Sequence, residues 1–314
     1  MEYIDVTLRD GGHQVGFNWP HEFVNDHINI LSSFPEIKYV ELGYWKQSGK
    51  YKGDFYSLDE KLLEKICLDK LNNQFTFMID YHYCSHNLKD YPKKESFPQI
   101  DMIRMTSRSS DLKESLQFLN RLKEYTNFKV SLNIFNVTNY EFHELLEACR
   151  LCKSTELDYI YFADTHGNLD LGKTKNNFKK LSDEIKQLGI KAGFHLHDHT
   201  GKAYYNFRLL KELGYSHTDV SLNGLGKGMG NLKLENCIDI SSNPKILDFM
   251  TQNYQLLKME NTPYGLISGF FSITDHYAIQ AHKNNIPPSK FYIYAKNVSG
   301  DDKDVFKSNL IENK

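Results

Sequence analysis

Two hydrophobic periods alternate along most of this chain, and few folds can satisfy that pattern. Short β-branched and aromatic runs fall at 3–8 (YIDVTL), 38–43, 75–80, 100–105, 128–134, 158–163, 190–196 and 217–222. Longer segments between them carry apolar residues at helical spacing, for example Leu112, Leu116, Leu119 and Leu122, or Phe178, Leu181, Ile185 and Leu188 before Gly189. A strand followed by a helix, repeated, builds a parallel sheet, because the helix returns the chain to the start of the next strand. Right-handed crossovers and eight repeats in about 250 residues favour closure into a TIM (β/α)8 barrel over an open doubly wound sheet. The expected organisation is a barrel catalytic domain over 1–240, C-terminal helices packed on it over 241–296, and a loose polar tail over 297–314. The best late helical segments are 244–259 and 269–284.

Polar residues gather at the C-terminal ends of the expected strands: Arg9 and Asp10, Glu41, Asp80, Arg104, Asn133, Asp164, His195 and His197, and Asn223. The opposite ends carry no comparable set of His, Arg and Asp. In a TIM barrel the C-terminal ends converge on one mouth, where chemistry sits. Glu41, Asp80, Arg104, Asn133 and Asp164 are therefore candidate substrate contacts.

The chain has 38 basic and 40 acidic residues among 314, a net charge of −2. That balance shows no electrostatic footprint for nucleic acid, and the 20 Tyr and 20 Phe have no basic groove beside them. The opening MEYIDVTLRD is charged and strand-like rather than a signal peptide, and no apolar run approaches the roughly 18 residues of a membrane span. A cytoplasmic protein is expected. Five cysteines (Cys67, Cys84, Cys149, Cys152, Cys237) suit free thiols, and the Cys149-x-x-Cys152 pair sits in a helical pattern where buried thiols behave as small hydrophobes.

Three strings carry potential chemistry. In GFHLHDHTG, His195 and His197 lie two apart at a strand end, so both imidazoles point to one face. Asp10 ends the first strand, with only strand 8 between it and strand 7 in a closed barrel. Two imidazoles and a carboxylate suit a divalent metal that activates a substrate oxygen. In TLRDGGHQ, Arg9 offers a fixed fork of donors for an enolate or a carboxylate, and His13 beyond the glycine turn suits a general acid or base. In SLNGLGKGMGNLKLE the four glycines allow sharp turns or close backbone approach. A fourth string, GNLDLGKT at 167–174, fits the phosphate-cradling pattern G-x-x-x-x-G-K-[ST]. Its strand is sixth in the series and no partner strand ends in a magnesium-binding Asp, so nucleotide hydrolysis is a minor rival.

TLRDG after strand 1, ADTHG at strand 6, H-x-H at strand 7 and GxGxGxGNxxLE after strand 8 together resemble the DRE-TIM metallolyases over roughly residues 1–285. These include hydroxymethylglutaryl-CoA lyase, isopropylmalate synthase and 4-hydroxy-2-oxovalerate aldolase. The resemblance implies that Asp10, His195 and His197 bind the metal with Asn231 beside it, and that Arg9 stabilises the enolate. His13 matches the acid/base histidine of the oxovalerate aldolases. No cysteine in 221–231 matches the lyase nucleophile, and at this length the synthases' C-terminal regulatory domain is not expected. The aldolases also use a tyrosine from a C-terminal helix. Here the best-matching stretch, PYGLISGFFS, puts Phe270 or Phe271 in that place; Tyr264, nearby but out of register, is a further candidate substrate contact.

The expected activity is therefore a divalent-metal-dependent aldolase, a carbon–carbon lyase. It would cleave a 2-oxo acid to pyruvate plus an aldehyde through a metal-bound enolate, or run the reverse addition. Mn²⁺ is the first choice of metal, with Mg²⁺, Co²⁺ and Zn²⁺ also fitting the ligand types. The expected partners are a small 2-oxo acid and an aldehyde, not nucleic acid or a membrane. Assembly into a homo-oligomer is left open, and the aldolases' aldehyde dehydrogenase partner is not assumed because the C-terminal region matches poorly. The competing classes are an acyl-CoA/2-oxo acid condensing enzyme of Claisen type and a non-catalytic barrel used as a binding module. A hydrolase of the amidohydrolase type is disfavoured, since those place H-x-H at the first strand.

Overall fold

The computed structural model describes residues 1–49, 51–66, 73–259 and 262–307. Cys67 and the end of the tail, 308–314, lie outside them. Among the described residues, eight parallel strands close into a barrel in chain order. They are β1 (Glu2–Asp5), β2 (Ile37–Tyr44), β3 (Gln74–Asp80), β4 (Ile100–Ser107), β5 (Lys129–Ile134), β6 (Tyr159–Asp164), β7 (Lys191–Leu196) and β8 (His217–Val220). β8 pairs back onto β1 with Ile4 beside Asp219, which leaves no free edge. The expected TIM barrel with extra C-terminal helices is the observed architecture.

Inside the barrel Ile4, Val6, Tyr39, Met102, Tyr159 and Tyr161 form one buried cluster. Outside it the strands' other faces pack on the helices in a single large core. Both faces of every strand are covered, which is why the strands read as near-continuous apolar runs.

The first expected strand runs too long. Strand β1 stops at Asp5, and 7–10 forms one helical turn, Thr7–Asp10. The cause is local. The Asp5 carboxylate accepts the Thr7 backbone N–H at 3.2 Å and the Thr7 hydroxyl at 2.8 Å, and buried His27 holds it at 2.8 Å. A side chain that caps the backbone two residues on diverts it from the sheet. Arg9 and Asp10 are thereby curled over the mouth.

Two other segments differ from expectation. The helix expected over 269–284 is two helices, Pro263–Phe271 and Asp275–Lys283, because Ser272 takes a left-handed conformation with φ 55° and ends the first. Likewise 244–259 breaks at Asn253 into Lys245–Gln252 and Tyr254–Leu257. The described part of the tail is not loose. The Thr274 N–H donates to Lys303 O at 2.7 Å, the Tyr277 hydroxyl donates to Asp302 O at 3.0 Å, and the Phe306 and Tyr277 rings meet at 5.0 Å. These contacts tie residues 300–306 to a satellite core built around Ile273, Tyr277 and Phe291.

Cys84, Cys149, Cys152 and Cys237 are free thiols. Burial pushes the Cys152 thiol up to about 12, so the C-x-x-C pair is packing rather than redox chemistry. No helix among the described residues is long and apolar enough to cross a membrane.

Candidate active site

The turn after β1 and the end of β7 bring Asp10, His195 and His197 together, with one ligand atom of each within 4.8 Å of the others. All three are buried. The tautomers follow from the partners. His197 Nδ1 donates to Gly230 O at 3.2 Å, and His195 Nδ1 donates to Asp219 Oδ2 at 2.9 Å. Both Nε2 atoms therefore carry lone pairs, and they face each other at 3.2 Å. Two lone pairs at that distance repel unless a metal ion or a shared proton draws them together. Burial holds His197 well below the usual imidazole range, so it is the neutral form that metal binding needs. Burial alone would raise the pKa of Asp10, but the Arg9 guanidinium beside it outweighs burial and keeps the carboxylate ionised.

Asn231 completes the cluster. Its Nδ2 donates to Asp10 Oδ2 at 2.7 Å and to Leu225 O at 3.2 Å. Its Oδ1 is buried with no hydrogen-bond partner among the described residues. A buried orphan acceptor calls for a missing donor or cation, and here it sits beside a carboxylate and two lone pairs. The surrounding charge agrees. Arg9 bonds Glu41 Oε2 and Asp10 Oδ1, each at 2.5 Å. Arg104 bonds Glu41 Oε1 at 2.8 Å and both Asp219 oxygens at 3.0 and 2.8 Å. The chain Asp10–Arg9–Glu41–Arg104–Asp219–His195 is continuous and buried, with three carboxylates against two guanidiniums. One buried negative charge is left over, which favours a bound cation; a divalent ion would leave a single positive charge for an anionic substrate. The residues present therefore fit a divalent metal, and the mixed N/O donor set does not choose among the first-row ions.

Gly226 makes the cluster possible. A Cβ there would lie 2.3 Å from Asn231 Nδ2 and 2.5 Å from Asp10 Oδ2. We expect Gly226→Ala to fold, since the clash is confined to side chains at the mouth, and to lose metal affinity by at least about tenfold, the scale of disturbing a ligand's support. Isothermal titration with Mn²⁺ checks this; unchanged affinity would mean that Asn231 and Asp10 do not hold the ion together.

The cluster opens on a cavity of about 900 Å³ at the C-terminal ends of the strands. Arg9, His13, Asp80 and Asn133 line it. His13 shares a hydrogen bond at 3.2 Å with the hydroxyl of Tyr51, which also lines it. Other expected contacts are elsewhere. Glu41 and Arg104 are fully buried and do not line the cavity; both Glu41 oxygens and the Arg104 Nη1 and Nη2 are spent on the charged chain. Asp164 accepts the N–H groups of Asn168 and Leu169, both at 3.1 Å, and burial raises its pKa to about 6. Those same amides are the ones a phosphate would need in GNLDLGKT, and Lys173 is 83% exposed, so that string is no nucleotide cradle. Tyr264 donates to Ile286 O at 2.6 Å inside the C-terminal helices, and Phe270 is 64% exposed. Neither lines the cavity; the hydroxyl beside His13 comes from Tyr51, in the loop after β2. Asn223 supports the glycine-rich loop by donating to Leu257 O at 2.9 Å.

Sequence reading missed Asp219. Its signal was present: a charged residue at an inward position of a barrel strand, level with Ile4 of the interior cluster.

The sequence profile of the HMGL-like family matches residues 99–262, just over half the chain, including His195, His197 and Asn231. The chain belongs to the HMGL-like family. This HMGL-like chain is 27% identical over 99% of its length to a 2-isopropylmalate synthase of Caldanaerobacter subterraneus, of which it covers 75%. It is 30% identical over 76% of its length to a homocitrate synthase of Pyrococcus abyssi, of which it covers 64%. It is 28% identical over 74% of its length to a 4-hydroxy-2-oxovalerate aldolase of Geobacillus thermodenitrificans, of which it covers 66%. The carboxyl transferase domain of Rhizobium etli pyruvate carboxylase shares the fold, with a TM-score of 0.71 and 14% identity over 96% of this chain and 56% of that one. The family's relatives are synthases and aldolases, so the HMGL-like barrel is an enzyme scaffold. Arg9, Asp10 and His13 lie before the profile match and join the site only through the closure of β1 onto β8.

Proposed function

We propose that this chain is a divalent-metal-dependent aldolase that cleaves a 2-oxo acid to pyruvate and an aldehyde, or runs the addition in reverse. The observation that carries the reading is the cluster of Asp10, His195, His197 and the Asn231 carbonyl beside Arg9 and His13 at one cavity. The first three would hold the ion, with Asn231 Oδ1 next to it. A bound divalent ion supplies Lewis-acid polarisation of the keto oxygen.

The protein groups do the rest. Arg9 Nε and Nη1 are spent on Glu41 and Asp10, while Nη2 lies 3.9 Å from Asp219 and keeps a donor for the enolate oxygen. Ion-paired on three sides and buried, this guanidinium needs no reorganisation as charge develops. His13, steadied by Tyr51, takes the proton of the substrate's 4-hydroxyl as the C3–C4 bond breaks. The aldehyde leaves, and C3 of the enolate is protonated to give pyruvate.

Claisen-type condensation of an acyl-CoA with a 2-oxo acid is the second reading, favoured by the synthases among the relatives. Proton NMR of pyruvate in D₂O with the metal-loaded protein tests the first. We expect the methyl signal to disappear by exchange, and to persist with EDTA. A persistent signal with metal bound, together with thiol release from acetyl-CoA and a 2-oxo acid, would replace the aldolase by the synthase.

A further inference from the structure

The strand order shows what faces the metal cluster. Its residues come from β1, β7 and the loop after β8, so the loops after β3, β4 and β5 lie across the mouth. That far wall belongs to the same cavity. Asp80 closes β3, Arg108 follows β4, and Asn136, Asn139 and Glu144 follow β5. The segment ending in Asp304 completes it, accepting from Asn136 Nδ2 at 2.6 Å and from Asn139 Nδ2 at 3.1 Å.

Hydrogen-bonding groups share this wall with the rings of Tyr83, Phe135 and Tyr140. Arg108 is exposed and acts on Asp80 through space without an ion pair to it. Glu144 uses Oε2 to accept the Glu141 N–H at 2.7 Å, which leaves the other oxygen to the cavity. Asp80 Oδ1 accepts the His82 N–H at 3.0 Å. An alkyl tail could pack on those rings, but it would strip water from carboxylates and a guanidinium and return no hydrogen bonds. A phosphorylated or multiply anionic tail would meet Asp80, Glu144 and Asp304. A hydroxyl suits these groups, since it accepts from the guanidinium and donates to a carboxylate or to the Asn139 carbonyl, whose Nδ2 is already engaged with Asp304 and His166.

Resting on the aldolase reading above, we propose that the aldehyde half of the substrate is uncharged and polyhydroxylated, and that Arg108, Asn139 and Glu144 read its hydroxyls across the mouth from the metal cluster. Sites built to bond a hydroxyl reject the analogue lacking it by up to about 10⁴-fold.

The test uses the full-length, metal-loaded protein with pyruvate and either D-glyceraldehyde or propanal, alongside methyl-proton exchange of pyruvate alone in D₂O. We expect kcat/KM for glyceraldehyde to exceed that for propanal by at least about a hundredfold. That ratio should fall about tenfold or more in Arg108→Leu and in Asn139→Leu, two surface variants, so that one serves if the other misfolds. Proton exchange with propanal favoured or equal, with neither aldehyde consumed, or with a ratio unmoved in both variants would overturn this inference and leave the aldolase reading standing. Absence of exchange together with no turnover of either aldehyde would overturn both.

Discussion

Replacing His197 by alanine is expected to give a folded protein that neither retains a stoichiometric divalent ion nor exchanges the methyl protons of pyruvate, with a loss of at least about a thousandfold in the exchange rate. The size follows from several kcal/mol of charge stabilisation supplied by a bound metal, at about 1.4 kcal/mol per decade of rate. Folding should survive because His197 makes one hydrogen bond to protein through Nδ1, to Gly230 O, while its Nε2 faces only His195 Nε2. Removing it relieves the lone-pair opposition rather than orphaning a charge. Elemental analysis of the purified variant and the D₂O measurement check the two halves separately. Full exchange in a variant without metal would remove the ion from the chemistry altogether.

A second large effect is expected at a residue that touches no substrate. Asp219 holds both Arg104 and His195 from one carboxylate, in complete burial. Asp219→Ala strands Arg104 with a single partner, Glu41, and breaking a buried pair in this way costs about 3–5 kcal/mol. Urea unfolding of the metal-free protein should show that loss. The same substitution removes the acceptor that fixes the His195 tautomer, which should weaken metal binding by about 10–100-fold. The double variant Arg104→Met with Asp219→Leu separates the two roles. It removes the stranded charge and should recover much of the stability, but not the affinity, because His195 still lacks its acceptor. Recovery of both would mean that Asp219 acts on the metal site only through folding.

The charged chain explains why several polar residues at strand ends are not substrate contacts. In the sequence Glu41, Arg104 and Asp164 look like Asp80 and Asn133: polar groups where an apolar run stops. The barrel sorts them by depth. Glu41 and Arg104 point into the interior and can be buried only because each neutralises the other and a neighbour. Asp164 turns to cap the next loop. Asp80 and Asn133 remain on the cavity wall.

The local pattern was sufficient for the eight strands, their parallel order and the placing of Asp10, His195 and His197 at one mouth. Period, strand-end polarity and H-x-H spacing are properties of neighbours in the chain, and closure of a β/α repeat follows from chain geometry. What needed the tertiary structure was everything set by partners far apart in sequence. Asp219 acquired its role from Arg104 and His195, 115 and 24 residues away. Tyr51, not Tyr264, became the hydroxyl beside His13, because the C-terminal helices built a core of their own and kept Tyr264 in it. The tail became part of the cavity wall because Asp304 found Asn136 and Asn139, some 165 residues earlier. A buried polar group takes whichever partner the fold brings within 3 Å or so, and no period in the sequence records that choice.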